Sequence, residues 1–293
     1  MDTTKNKWRV ILMKIKSNYL ILDTDKPITE TTSKLRGYIG NKYKEHALLH
    51  NHYKDNYLYS YPLIQYKIIN KKAIILGIDE GTKTLEDIID TITELKLDNT
   101  YKITDRQLYK KEYNVRVTPE EYHYKIITPW LSLNSKNYQI YMQLNNWKDK
   151  KILLNKILIG NILSMCKGLG IIANYRIHAR THLDEEKIKY KSVYLTGFKG
   201  EFITNFKLPP LYGLGKGTSH GYGTIIPVDE YEFPINLSNI WYIRNKSEKP
   251  YNKNTTTLWS NKNPEISIHI NNRHKKQEKH DKRTRKRKNI RQR

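Results

Sequence analysis

A single cysteine, Cys166, stands among 293 residues, which excludes an internal disulfide framework. Apolar runs are short. Ala73 to Ile78 and Ile157 to Leu163, the latter already broken by Asn161, fall far below the roughly 20 residues a membrane span needs. The opening Met1-Asp-Thr-Thr-Lys holds no apolar core of a secretory signal. A soluble, cytoplasmic protein with no membrane partner is the expectation. No short-period repeat runs through the chain, and no carboxylate pair demands a metal.

Negative charge is also scarce: 29 Asp and Glu face 53 Lys and Arg, a formal balance of +24. Such a surplus repels itself unless an anionic partner answers it. The stretch from Asn271 to Arg293 carries 12 Lys or Arg against 2 acidic residues, which leaves +14 on the other 270 residues. The folded part is therefore basic too. Composition alone does not choose between RNA, DNA and acidic lipid, and A/T-rich coding also yields Lys, Ile, Asn and Tyr. Mean hydropathy is −0.76, yet 23 Tyr and spaced apolar segments argue against wholesale disorder. At about 150 residues per domain, two domains are expected.

Periodicity gives the order of elements. Trp8 to Ile15 reads as a first strand, Thr29 to Tyr43 as a solvated helix weakened by Gly37 and Gly40, and Tyr59 to Ile69 with Ala73 to Ile78 as a hairpin. Leu85 to Leu95 is spaced as a helix, and Tyr101 to Leu108 as a polar strand. This βαββαβ order is the ferredoxin-like, or RRM-like, arrangement. In the second half, His123 to Leu131 and Tyr138 to Leu144 read as extended, Lys150 to Lys167 as a long helix, Ile171 to His182 and Lys189 to Phe206 as strands, and Thr224 to Val228 as a last strand. No second long helix precedes the glycine-rich segment. The expected fold is α+β: tandem ferredoxin-like domains at 1–118 and 119–244, the second irregular, with a flexible basic tail at 245–293.

Five of the chain's 14 glycines fall in Gly213-Leu-Gly215-Lys216-Gly217-Thr218-Ser219-His220-Gly221-Tyr-Gly223. Glycines let backbone N–H groups approach a phosphate closely. Neither the Walker spacing nor G-x-G-x-x-G is present, so no nucleotide cofactor is expected, and the segment is either a grip for a phosphodiester backbone or a plain turn. A second cluster is His46-Ala-Leu-Leu-His50-Asn-His52, followed by Tyr57, Tyr59 and Tyr61. In an extended segment His50 and His52 share a side, and two imidazoles can pass protons in both directions near neutral pH. A metal reading would need His46 and Glu45 or Asp55 in addition, at no familiar spacing. A surface cluster without a task is the bland alternative. Arg176 and Arg180, with His178 and His182, form a basic strand face suited to phosphate, and Cys166 sits on the apolar side of the long helix.

Three stretches, Leu35-Arg36-Gly37-Tyr-Ile-Gly40, His50-Asn-His52 and Tyr59-Ser-Tyr61-Pro62-Leu63-Ile64-Gln65-Tyr66-Lys67, resemble the N-terminal half of the CRISPR precursor-RNA endoribonucleases. That is the sixth Cas family, in the subgroup found with type I-B systems. Gly197-Phe198-Lys199-Gly200-Glu-Phe202 through Gly223-Thr224-Ile225 is similar to the C-terminal loop and strand of the RAMP superfamily. The resemblance runs from Trp8 to Val228. It implies metal-independent cleavage of CRISPR repeat RNA without a cofactor, the ribose 2′-OH attacking the scissile phosphate to leave 2′,3′-cyclic phosphate and 5′-OH ends. His50 and His52 would be general base and acid, in an order left open, and Tyr59 would orient or donate to the phosphoryl group. Arg36, Arg176, Arg180 and the glycine-rich segment would bind RNA. Partners would be the repeat RNA, subunits of a CRISPR interference complex and a second copy of the chain. The alternative from another class is a non-cleaving RNA-binding subunit of such a complex.

The tail generates one prediction. If its basic residues contact phosphates, removing everything after Asn245 makes the plot of log affinity against log salt shallower. An unchanged slope removes the tail from RNA binding.

Overall fold

The computed structural model describes residues 14–50, 52–53, 56–57 and 61–228, with backbone alone at 52–53 and 56–57. The expected strand residues 8–13, Tyr59 and the tail lie outside the described residues. The chain begins with β1 (Lys14–Thr24), α1 (Thr32–Lys42), a single turn α2 (Ala47–His50) and the two-residue strands β2 (His52–Tyr53) and β3 (Asn56–Tyr57). The hairpin β4 (Ile64–Ile69) and β5 (Lys72–Ile78) follows, then α3 (Glu80–Ile88), a 3-10 turn, β6 (Glu94–Lys96) and β7 (Thr100–Asn114). The sheet order is β4-β5-β1-β7-β6, with all pairs antiparallel, which is the ferredoxin-like order with one short strand added at the edge.

The second half comprises β8 (Arg116–Trp130), α4 (Ser135–Gln143), α5 (Trp147–Gly168), β9 (Ala179–Tyr190), β10 (Val193–Lys207) and β11 (Ile225–Pro227). Its sheet runs β11-β8-β10-β9, again the ferredoxin-like order. The glycine-rich segment occupies the connection from β10 to β11, where the second helix of such a unit would stand. The stretch expected as extended at Tyr138 to Leu144 is instead the body of α4. Tyr138, Ile140 and Met142 alternate as in a strand but remain 44%, 38% and 59% exposed, and Tyr141 is the residue that goes inside. The Asn134 side chain, accepting from Asn137 N–H at 2.8 Å, caps the helix. β9 likewise starts at Ala179, later than the expected Ile171.

Alternating residues of β1 feed two different cores. Leu20 and Leu22 pack with Tyr66, Ile75, Leu35, Ile39, Leu85 and Ile88 beneath α1 and α3. Tyr19 and Ile21, with Ile74, Leu76 and Ile78, pack against Tyr124, Phe206, Leu211 and Tyr212 of the second half. A strand buried on both faces reads as a continuous apolar run, and LGI and AIIL in β5 do so. Polar links stitch the seam: Ser17 Oγ lies 2.9 Å from Tyr212 Oη, Tyr19 Oη–H donates to Pro210 O at 3.1 Å, and Tyr61 Oη–H donates to Gly213 O at 2.9 Å. Burial pushes the Tyr61 and Tyr212 phenols up, so both remain protonated donors. Among the described residues no helix is long and apolar enough to cross a membrane.

The seam depends on a closed turn. Gly223 has φ +64°, and a Cβ there would overlap the Leu214 carbonyl oxygen. Gly223→Ala combines left-handed strain with a backbone clash, and we expect it to destabilise the fold by at least about 2 kcal/mol in urea unfolding.

Candidate nucleic-acid interface and cleavage site

The glycine-rich segment is fixed at its ends and open in its middle. Gly213 N–H donates to Gln65 Oε1 at 2.9 Å, Leu214 N–H to Gly223 O at 2.9 Å, Gly223 N–H to Pro129 O at 2.9 Å and Lys216 N–H to Leu131 O at 3.0 Å. His220, Gly221 and Tyr222 N–H close the 3-10 turn at Thr218–His220 through Gly217 O and Thr218 O. Among the described residues, the N–H groups of Gly215, Gly217, Thr218 and Ser219 have no hydrogen-bond partner. Lys216 is exposed between them, its Nζ 5.2 Å from the centre of the Tyr190 ring. The amides of Gly217, Thr218 and Ser219 follow one another directly, and left-handed glycines precede Lys216 and Thr218, with φ +83° at Gly215 and +77° at Gly217, a backbone arrangement compatible with an anion. The unbonded amides are those of Gly215 and of Gly217 to Ser219, while Gly213 and Gly221 are buried parts of the framework.

The far end of the same segment reaches the first half. His220 Nδ1 lies 3.1 Å from Ser33 Oγ, and Arg36 Nη1–H donates to His220 Nε2 at 3.2 Å. Arg36 Nη2–H donates to His50 O at 2.7 Å. One guanidinium therefore ties the glycine-rich segment to the turn that carries His50. α2 is held from below as well, since Tyr66 Oη–H donates to Leu49 O at 3.2 Å and Leu49 is buried. The His50 ring rests on α1 at Gly40, where a Cβ would sit 3.1 Å from Nδ1. Gly40, which weakens the helix on propensity, makes room for this imidazole. His50 Nε2 and Arg36 Nε are shielded from solvent and have no hydrogen-bond partner among the described residues. Leaving a buried polar atom without a partner costs stability, so both atoms are open to a hydrogen bond from outside the described residues.

Other expected site residues lie elsewhere. His52 pairs with Tyr57 through the backbone of the β2–β3 hairpin, and its side chain is outside the described residues, as is Tyr59. Arg180 Nη2–H donates to Glu121 Oε2 at 2.5 Å, at the opposite end of β9 from Tyr190, about 30 Å away along an extended strand. The backbone of Arg176 is bonded to Asn205 in the same region. Neither arginine joins the glycine-rich segment. Cys166 is buried, and burial pushes its thiol up to about 12, as expected of a core residue. Among the described residues no three His, Cys, Asp or Glu side chains converge as metal ligands.

Sequence reasoning assigned no role to Ser33, Tyr190 or Lys67. The Tyr190 ring meets His220 edge-on at 6.4 Å and Tyr222 at 5.4 Å. Lys67 is 1% exposed, and its Nζ donates to Gln65 Oε1 at 3.2 Å, the same oxygen that receives Gly213 N–H. Their signal was faint: an isolated lysine inside an apolar strand.

Residues 13–114 match the family model of the Cas6b N-terminal domain, and residues 116–228 that of the Cas6b C-terminal domain. The chain belongs to the Cas6b family. A crystal structure of Cas6b is 34% identical, covering 74% of this chain and 100% of the other, with a TM-score of 0.67. A crystal structure of the CRISPR RNA processing endoribonuclease Cas6b is 32% identical over 74% of this chain and 100% of the other, with a TM-score of 0.60. An uncharacterized protein of Methanocaldococcus jannaschii is 38% identical over 146 residues, 49% of this chain and 99% of that protein.

In this Cas6b chain, burial pulls the Lys67 amine from 10.5 down to about 7. The unfolded chain holds that proton up to pH 10.5 and the folded one releases it near 7, so folded stability rises as pH climbs through this window. Lys67→Met should be more stable than wild type at pH 7, with an advantage that shrinks by pH 9, as read from urea midpoints.

Proposed function

We propose that this chain cleaves CRISPR repeat RNA by transesterification without a metal. One imidazole of the His50 and His52 pair takes the proton of the 2′-OH as its oxygen bonds to phosphorus. The P–O5′ bond then breaks, and the other imidazole, protonated, supplies the proton that O5′ needs. The products are a 2′,3′-cyclic phosphate and a 5′-OH. Two proton transfers and charge stabilisation suffice for this reaction. Tyr59 orients or donates to the phosphoryl group. The amides of Gly215 and of Gly217 to Ser219, with the Lys216 ammonium, hold the neighbouring backbone, and selectivity for RNA follows from the 2′-OH itself.

Membership of a family that includes a CRISPR RNA processing endoribonuclease supports the reaction class. The observation that carries the site is the Arg36 guanidinium, which joins the turn bearing His50 to the segment with unpaired amides. Incubation of the wild type with its repeat RNA in EDTA should give one product with a cyclic phosphate end. RNA left intact and tightly bound would favour the non-cleaving subunit instead. His50→Ala and His52→Ala should each lower the single-turnover rate by roughly 10²- to 10⁴-fold with RNA affinity nearly unchanged. Cleavage at the wild-type rate by both variants would overturn the assignment.

A further inference from the structure

We propose that Arg36 and His220 form a latch that fixes the main chain of His50, so that the glycine-rich segment positions a proton-transfer group as well as gripping RNA. This rests on the assignment of His50 made above.

α2 is a single turn of four residues, too short to hold itself in place, and its last carbonyls have no partner within the turn. Leu49 O is satisfied by Tyr66 and His50 O by Arg36. A guanidinium can only donate, so the Nε2 of His220 that receives Arg36 Nη1–H carries a lone pair. The ring proton is then on Nδ1, which donates to Ser33 Oγ. His220 is in this way defined as a neutral acceptor facing a fixed cation. Burial and the nearby Arg36 and Lys191 charges agree, lowering its pKa from 6.5 to about 4. A neutral imidazole with both nitrogens engaged is a poor phosphate ligand.

The latch is held from both sides. Gly217 and Gly221, both left-handed, bracket the turn that aims His220, and the Tyr190 ring edges against it. Arg36 reaches two acceptors that belong to different halves of the molecule, 14 and 184 residues away in the chain. Only a planar fork can serve both at once, and a lysine ammonium at the end of a flexible stem would not hold them in one plane. Gly40 completes the seat by admitting the His50 ring against α1. Arg36 and His220 are thus positioning residues, acting through His50.

The test is single-turnover cleavage of the cognate repeat RNA at saturating protein. Affinity is measured separately on the same RNA with a 2′-deoxy nucleotide at the cleavage position. Arg36→Lys and His220→Ala should each slow cleavage by about 10- to 100-fold, the scale of a small misplacement of a reacting group, with affinity within about threefold of wild type. The double variant should be no slower than the slower single variant, because the pair acts as one unit. His220→Gln, whose amide oxygen can accept in place of Nε2, should recover the rate to within about threefold of wild type. If Arg36→Lys disturbs the fold, the contrast between His220→Ala and His220→Gln carries the test. His50→Ala is run alongside. Wild-type cleavage by that variant would sink the His50 assignment and the latch with it. A slow His50→Ala beside normal rates for Arg36→Lys and His220→Ala would overturn the latch alone. A fall in affinity that accounts for the whole loss, with a shallower salt dependence, would overturn it in favour of direct phosphate contact.

Discussion

Strands β4, β5 and β1 of the first sheet are buried on both faces, and the rest of the architecture follows from that constraint. β1 and β5 sit in its middle and send alternate residues into two separate cores, one roofed by α1 and α3 and one shared with the second half. Removing that much apolar surface from water is the dominant favourable term available to the chain. The two ferredoxin-like units are therefore joined through a common interior. A segment leaving the second sheet between β10 and β11 is delivered onto β4 at the edge of the first sheet, and the candidate site is assembled at that seam.

The electrostatics of the seam differ from those of the whole protein. A balance of +24 suggests cations in abundance, yet several beside the site are engaged or discharged, while Lys191 stays charged near His220. Arg36 is committed to two internal acceptors, Lys67 is buried with its amine pulled down to about 7, and His220 is kept neutral by burial and by its charged neighbours. The exposed cation within the open amides is Lys216. Net charge serves to attract and steer a polyanion over distance. In the proposed reading, local grip falls to neutral backbone donors, whose positions do not depend on long, mobile side chains.

Much of the fold was legible because its signals are local. The order of strands and helices in the first half, the long helix α5 and the missing helix before the glycine-rich segment all come from periodicity and spacing. α4 misled because Tyr138, Ile140 and Met142 mimic the alternation of a strand while facing outward, and the Asn134 cap was the better signal. The site was legible in its residue types but not in their connections. Arg36 and His220 read as RNA ligands, whereas their bond to each other spans 184 residues and leaves no trace in sequence spacing. Gly40 read as a flaw in a helix until the His50 ring was found against it. That Arg180, and Arg176 just before β9, lie at the far end of that strand from Tyr190 is invisible in composition.

A single buried residue, Val115, separates the end of β7 from the start of β8, so the chain passes from one sheet to the other without a loop. Two strands of 15 residues each, one in each sheet, are butted together in this way. Jaw-like opening between the halves has no pivot at this crossing.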